Sequence, residues 1–287
     1  MKVGITSYSF QYDISEGRET QLSIIEKAKN IGCEFIEFTD LTPHDGSTEM
    51  EYAKKLRAEA DRVGIEIATY SVGADLYNPD IDEEIQRIKN KVDVAEVLGA
   101  KVLRHDVMFG YNTPREYRGF MNSLPRYADA CRRITEYAAE KGIRTMSENH
   151  GLICQDSDRM EALVNTVAHP NFGLLVDIGN FVCADDDPVK AVGKCAPYAF
   201  HVHVKDFILK SGNEYANTEG CFRTRGGNYL RGTVAGHGVV PVRQCLNALK
   251  SAGYDGNVSL EFEGKERLDF ALPAGINFLK KCIETLD

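Results

Sequence analysis

The sequence lacks the features that would place the protein in a membrane or outside the cell. Its apolar runs are all shorter than the roughly 18 residues that a membrane-spanning helix needs. Met1 leads directly into the strand-like segment KVGITSYSF rather than into a basic and then apolar leader. The eight cysteines include no CxxC pair, which argues against a zinc knuckle or a disulfide framework. Dispersed thiols without a secretion signal favour a reducing compartment, so we expect a cytoplasmic protein with no membrane partner.

Positive charge is also scarce. The chain has 34 lysines and arginines against 43 aspartates and glutamates, for a formal net charge of −9. Proteins that bind the phosphate backbone rely on Lys/Arg patches, so no nucleic-acid partner is expected. No G-x-G-x-x-G motif follows the first strand-like segment, which weakens a dinucleotide-binding interpretation. The 287 residues, 43% hydrophobic and 27% charged, suit one large α/β domain or two small ones.

A weak internal repeat consists of an amphipathic helix, a glycine and a short β run, as in ADRVGIEIATY and AEVLGAKVLRH. Glycine just after a helical pattern is a C-cap signal, and strict alternation of helix and strand predicts parallel strands. Eight such units favour a closed (β/α)8 TIM barrel forming a single domain over residues 1–287. The predicted strands lie near residues 2–8, 34–39, 65–71, 101–106, 144–149, 173–178, 199–205 and 257–262, and a last helix is predicted near 267–285.

Four of the later strands end in residues that can bind a metal: Glu148, Asp177, His203 and Glu261. Burying an unpaired charge costs roughly several kcal/mol, so each of these groups needs a partner. One interpretation is that they are unrelated polar strand ends, each paired locally. Their recurrence on four successive strands instead favours one oxygen-rich site for a divalent cation.

Strand alternation adds candidates around this site, because positions two apart share a face. His150 and Lys205 are predicted substrate contacts near the rim, as is His105 at the end of the fourth strand, with a structural role as its alternative. His201, two residues deeper than His203, is predicted to be a core or supporting group. Residues 207–240 form the longest irregular stretch, on the face where barrel active sites lie.

Two arginines in that stretch, Arg223 and Arg225, are candidate substrate contacts, with surface solvation as the alternative. The same stretch holds Gly236-His237-Gly238 before a proline that opens a helix. This tripeptide is either an anion site at the helix N-terminus or a plain loop.

Across essentially its whole length the chain resembles the xylose-isomerase-like TIM barrels, the AP endonuclease family 2 type. That superfamily includes sugar phosphate isomerases and epimerases, ketose 3-epimerases, inosose dehydratase and endonuclease IV. The segments that carry the resemblance are GCEFIEF, YSVGADL, SENHG, LLVDIGNF, HVHVKDF and the GHG…GYDGNVSLEFEG stretch, in that order.

The resemblance implies a mononuclear metal site on Glu148, Asp177, His203 and Glu261, with Glu148 and Glu261 also acting as the acid/base pair. One histidine with three carboxylates favours Mn²⁺, with Mg²⁺, Co²⁺ or Zn²⁺ as alternatives. The function that this implies is isomerisation or epimerisation of a sugar or sugar phosphate by proton abstraction next to a carbonyl. The runner-up is a lyase on the same site, an inosose-type dehydratase or an enzyme that cleaves an oxidised glycoside by elimination.

Other classes are less favoured, and some properties stay open. Endonuclease IV-type sites need more histidines, including one where this chain has Asn180, so a multi-zinc nuclease is not expected. A non-catalytic sugar-binding barrel is a further alternative. The expected partner is a small carbohydrate substrate, and a homo-oligomer is possible. The sequence gives neither the substrate nor its phosphorylation state.

Overall fold

Eight parallel strands form a closed barrel in a computed structural model that describes residues 1–110, 119–213 and 217–286. The barrel strands are β1 (Lys2–Thr6), β2 (Phe35–Phe38), β3 (Glu66–Val72), β4 (Val102–His105), β5 (Arg144–Glu148), β6 (Phe172–Asp177), β7 (Ala199–Val204) and β11 (Asn257–Leu260). Their order around the barrel is β1-β11-β7-β6-β5-β4-β3-β2. Each barrel strand has a counterpart among the eight predicted, so the predicted (β/α)8 fold is confirmed.

Helices pack around the outside of the barrel and return the chain from one strand to the next. The helices are α1 (Gln11–Ser15), α2 (Ser23–Asn30), α3 (Glu49–Val63), α4 (Ile81–Leu98), α5 (Phe120–Glu140), α6 (Ser157–Val167), α7 (Asn180–Cys183), α8 (Pro188–Cys195), α9 (Val242–Ser251) and α10 (Leu268–Glu284), with 3₁₀ turns at Ser7–Phe10 and Ala196–Tyr198. The predicted glycine caps are present at the ends of α3 and α4, where Gly64 and Gly99 adopt the left-handed conformation. Thr48 begins α3 with a capping box.

The lower part of the barrel is filled by apolar side chains. Val102, Met146 and Leu175 form a buried cluster against which Phe200 packs. Phe200 occupies the space beside Gly173, where an added Cβ would lie 2.6 Å from its ring. The guanidinium of Arg144 stacks on the same ring at 4.2 Å. The interior is therefore closed at the amino-terminal end of the strands.

A small antiparallel sheet occupies part of the stretch predicted to be irregular. It consists of β8 (Asp206–Lys210), β9 (Phe222–Arg223) and β10 (Tyr229–Thr233), in the order β8-β10-β9. The pairing joins Asp206 to Thr233 and Lys210 to Tyr229. Partners this far apart along the chain leave no local periodicity, which is why the sequence pattern did not reveal the sheet.

The Gly236-His237-Gly238 loop is tied to β8 by one carboxylate. Asp206 accepts hydrogen bonds from the backbone N–H groups of Gly236 at 2.9 Å, Gly238 at 2.8 Å and Val240 at 3.0 Å. Of the two interpretations of this tripeptide, the structure favours the loop, because a side chain of the protein already binds the N–H groups.

None of the helices in the described ranges is both long and apolar enough to cross a bilayer. All eight cysteines are free thiols, and Cys221 is the only one of the eight that is not buried.

Candidate metal centre and catalytic cleft

The four strand-end residues meet at the carboxyl-terminal mouth of the barrel. Glu148 and Asp177 are the last residues of β5 and β6, His203 lies in β7, and Glu261 directly follows β11. All four are buried, and one ligand atom from each lies within 4.8 Å of the others. The structure thus brings together the four residues predicted as a set, and this group could hold a metal ion.

Two buried atoms in the group have no hydrogen-bond partner: His203 Nδ1 and Asp177 Oδ2. Nδ1 lies 3.5 Å from Glu261 Oε1 and 3.9 Å from Glu148 Oε1. Its distance to Asp177 Oδ2 is 4.0 Å. Lys205 Nζ is 3.1 Å from Asp177 Oδ2, close enough for an ion pair but without hydrogen-bond geometry. Orphaned buried polar atoms are costly, and a cation between them would bind both, so the donor set fits a divalent ion.

The electrostatics of the group also favour an added positive charge. Burial raises the pKa of Asp177, Lys205 opposes the rise, and Glu261 and Glu148 add to it, giving about 7. Burial acts to lower the pKa of His203, but Glu37 and Glu261 outweigh it and raise that pKa to about 10. Both shifts keep protons in the cluster, as expected where carboxylates outnumber cations.

Glu37, the third residue of β2, holds His203 from below and was not predicted as a site residue. Its Oε2 accepts from His203 Nε2 at 2.8 Å and from Ser259 Oγ at 3.0 Å, and lies 3.1 Å from His201 Nε2. The prediction that His201 is a supporting core group agrees with this position. The signal for Glu37 was available, because GCEFIEF also carries a carboxylate on an apolar strand.

Glu37, His201 and His203 form a second group of metal-type ligands. Each histidine has its Nε2 at hydrogen-bond distance from Glu37 Oε2, and burial lowers the pKa of His201. We assign this group a supporting role, because the Glu37 carboxylate already binds both rings.

Arg104 links the site to the rim and was also missed. Its guanidinium contacts Glu148, and its Nη2 lies 2.7 Å from Asp106 Oδ1. Asp106 in turn accepts from His150 Nδ1 at 3.0 Å. Burial lowers the pKa of His150, but Asp106 and Glu148 raise it above its usual value. His150, predicted at the rim, is half-buried and lines the cavity above the four ligand residues, which we call the cleft.

Lys205, predicted as a substrate contact near the rim, is buried and lines the cleft. Its ammonium donates to Glu261 and, at 2.9 Å, to Glu263 Oε1. Burial acts to lower the pKa of Lys205, but Asp177 and Glu261 hold it well above its usual value. The side chain supplies a permanent positive charge beside Asp177 and Glu261.

His105 is not brought to the cleft. It is fully buried, its Nδ1 lies 2.9 Å from the Asp106 backbone oxygen, and its ring lies 6.3 Å from that of Phe172. Alternation from Val102 explains the difference: it turns Arg104 inward and His105 outward, towards the helices. This placement corresponds to the structural alternative for His105.

The two candidate arginines of the long stretch lie apart. Arg225 binds Asp156 at 2.7 Å and the backbone oxygen of Leu152, on the loop between β5 and α6. Arg223 instead lines an outer cavity next to the cleft, where it donates to Tyr229 Oη at 2.7 Å.

The cleft is a cavity of about 240 Å³ lined almost entirely by polar side chains. Acidic groups on its wall include Glu37, Asp40, Glu148, Glu261 and Glu263, and basic groups include Arg104, His150 and Lys205. Such a lining suits a polyhydroxylated ligand, which needs many hydrogen-bond partners.

Comparison with known proteins identifies the family to which the chain is similar. A family model described as "Xylose isomerase-like TIM barrel" matches residues 25–282. Inosose dehydratase of Geobacillus thermodenitrificans is 24% identical over 261 residues, covering 85% of this chain and 82% of that protein.

Two solved structures illustrate the shared fold. A xylose isomerase-like TIM barrel protein from Mycobacterium smegmatis, in complex with magnesium, has a TM-score of 0.73 at 17% identity, covering 98% of this chain and 96% of the other. The 3-keto-D-glucoside 4-epimerase YcjR from E. coli has a TM-score of 0.68 at 16% identity, covering 99% of each chain.

Proposed function

The chain belongs to the xylose isomerase-like TIM barrel family, and from that premise we propose that it is a divalent-metal-dependent enzyme acting on a sugar or sugar-like polyol ketone. Its chemical step is removal of a proton from the carbon next to the carbonyl. Epimerisation or isomerisation is the first outcome that we propose, with Glu148 and Glu261 as the catalytic acid and base.

The observation that carries this proposal is the arrangement of Glu148 and Glu261 on either side of His203 Nδ1. They are three strands apart around the barrel, on β5 and after β11. Each has its own cation, Arg104 beside Glu148 and Lys205 beside Glu261. Burial acts to raise the pKa of Glu148, but Arg104 and His203 outweigh it and lower that pKa, which favours the ionised carboxylate that a general base requires. Carboxylates on separate walls can remove a proton on one face of a carbon and return one on the other.

We propose that Glu148, Asp177, His203 and Glu261 hold one cation, with Mn²⁺ first and Mg²⁺, Co²⁺ and Zn²⁺ as alternatives. When bound, the cation would supply Lewis acidity that stabilises negative charge on substrate oxygens. Three carboxylates and one imidazole suit a hard or borderline ion. The magnesium complex of the M. smegmatis protein agrees with such a choice.

Elimination is the second candidate, because the same cleft holds a possible proton donor. His150 lines it, and its protonated imidazole could give a proton to a departing hydroxyl or glycosidic oxygen after the α-proton leaves. Lys205, which stays charged, could stabilise negative charge on a substrate oxygen. Similarity to inosose dehydratase, whose name denotes loss of water, supports keeping this candidate.

Solvent exchange tests the step that both candidate reactions share, whichever product forms. The Mn²⁺-loaded protein would be incubated in D₂O with ketoses, inososes and 3-keto-glucosides, and products followed by NMR. Deuterium next to the carbonyl is expected for at least one substrate. A new stereoisomer identifies epimerisation, whereas water or an aglycone released identifies elimination.

Glu148→Gln and Glu261→Gln should each reduce exchange by about 10²-fold or more. Glu66→Gln is the matched control, because Glu66 is exposed at the opposite end of the barrel. Absence of exchange with every substrate in all metals, or full exchange in both site variants, would reject the proposal.

A further inference from the structure

The cleft continues outward into a second cavity of about 450 Å³. The two cavities share Tyr8, His150, Lys205 and Glu263 on their walls, so a ligand can occupy both at once. Small-molecule pockets usually measure roughly 300–1,000 Å³. The inner cavity alone is below that range, and the two together are within it.

The outer cavity differs from the cleft in its lining. Phe109, Leu152 and Phe222 line it, with exposed fractions of 53%, 43% and 41%. They are three of the eight large apolar side chains that are exposed in the described part of the chain. Exposed apolar side chains that cluster in one concave place indicate a binding surface, whereas single ones scattered over a protein surface are ordinary.

Both phenylalanines are held in place by rings beneath them. Phe222 packs edge-on against buried Phe207, with ring centroids 5.6 Å apart. Phe109 packs edge-on against His150 at 5.2 Å, and His150 is fixed by its bond to Asp106. Aromatic faces presented on such supports bind a planar apolar group with little loss of side-chain entropy.

We propose that the outer cavity binds a planar apolar substituent carried by the substrate, while the sugar ring occupies the inner cleft. The substrate class is then a keto-sugar bearing an aromatic group, such as an oxidised aryl glycoside. This inference rests on the proposed function and narrows the substrate class from keto-sugars in general to those that carry an aromatic group, as distinct from free ketoses. Arg223, on the outer wall beside Phe222, is placed to meet a polar or anionic substituent on that ring.

A pair of glycosides tests the subsite apart from catalysis. Neither 4-methylumbelliferyl β-D-glucoside nor methyl β-D-glucoside has a carbonyl on its sugar ring, so binding is read without proton abstraction. Saturation-transfer NMR and calorimetry would give both affinities for the Mn²⁺-loaded protein. The chain has no tryptophan, so fluorescence of the aryl ligand provides an independent titration.

We expect the aryl glycoside to bind at least about tenfold more tightly than the methyl glycoside, through aromatic contact. Phe222→Ala and Leu152→Ala should each remove most of that preference. Phe270→Ala is the matched control, since Phe270 is 56% exposed and lines neither cavity. Circular dichroism of each variant shows whether it is folded. Two independent subsite variants that both lose the preference then point to loss of the contact with the aryl group rather than to misfolding.

Equal affinities for the two glycosides, failure of both to bind, or an unchanged preference in both variants would overturn the subsite. So would a wild-type oligomer that Phe222→Ala dissociates, because a second copy would then cover the cavity. If the preference is found but no substrate exchanges its proton in D₂O, the proposed reaction fails and the subsite stands.

Discussion

At the scale of single residues, the two ring nitrogens of His203 face different groups. Nε2 is bound to Glu37, and Nδ1 points at Glu148, Asp177 and Glu261 with no hydrogen bond of its own. A carboxylate on one nitrogen fixes the ring orientation and leaves the other nitrogen for a ligand. Glu37 is thus a positioning residue, although it is not in the four-residue ligand group itself.

Glu37→Gln should weaken Mn²⁺ binding by about 10–100-fold, because the amide holds the imidazole less firmly than the carboxylate does. Electron paramagnetic resonance of free Mn²⁺ would measure the dissociation constant directly. Glu34→Gln is a matched control, because exposed Glu34 also accepts a hydrogen bond but lies outside the cleft. Equal affinity in both variants would contradict the positioning role.

At four strand ends the sequence singled out Glu148, Asp177, His203 and Glu261, and the structure brings these four residues together. The sequence was less informative at KVLRHD, where three polar residues follow each other. In that segment His105 was predicted as a substrate contact, whereas the alternation of side chains from Val102 turns Arg104 towards the barrel interior, where it contacts Glu148. The contact between Arg104 and Glu148 joins neighbouring strands, and no pattern within one strand contains it.

At the scale of elements, the Asp206 carboxylate joins the 236–240 loop to the small antiparallel sheet. It accepts from three N–H groups of that loop, so the loop that leads into α9 is fixed to β8; we call these three hydrogen bonds the Asp206 clasp. Gly238 is required at this clasp, because a Cβ there would overlap the Asp206 carboxylate and the Phe207 backbone oxygen.

Gly238→Ala should therefore destabilise the protein by about 1–3 kcal/mol, through loss of the clasp. Gly193→Ala is the comparison: Gly193 lies in α8 with open space around its Cα. That variant should gain up to about 1 kcal/mol of helix propensity. Urea unfolding of both variants measures the difference, and equal free energies of unfolding would refute the clasp.

At the scale of the whole molecule, the acidic cluster sets how stability responds to pH. In the folded protein the pKa of Asp177 is about 7, against about 3.9 for an unfolded aspartate. The stability that the raised pKa of Asp177 contributes to the folded state is fully present below about pH 4 and is lost as the pH rises through about 7. The pKa of His203, raised to about 10, changes stability in the same direction at higher pH.

Bound metal replaces these protons, so the rise in Tm on adding Mn²⁺ should be small near about pH 5.5 and larger near about pH 8. Differential scanning calorimetry with Mn²⁺ and with EDTA at both values measures it. Asp177→Asn should show little Mn²⁺ effect at either pH. If the rise in Tm on adding Mn²⁺ to the wild type became smaller as the pH increased, the cluster would not be the site that binds the ion.

The fold as a whole was predictable because helix, glycine and strand recur with little interruption. The long segment after β7 was not, since the partners Lys210 and Tyr229 are separated by residues that carry no repeat. Long-range pairing of this kind is decided by tertiary contacts rather than by local propensity.

Phe200, packed against Gly173 and Arg144, closes the amino-terminal end of the barrel, so the cleft has no opening at that end. Whatever enters must leave by the carboxyl-terminal mouth, where the outer cavity also lies. If a two-part substrate spans both cavities as we propose, its outer end would lie nearer the solvent and its sugar end deeper. A cleaved substrate would then release its two fragments in a fixed order, the aglycone first, and an excess of free aglycone would slow turnover without competing for the metal.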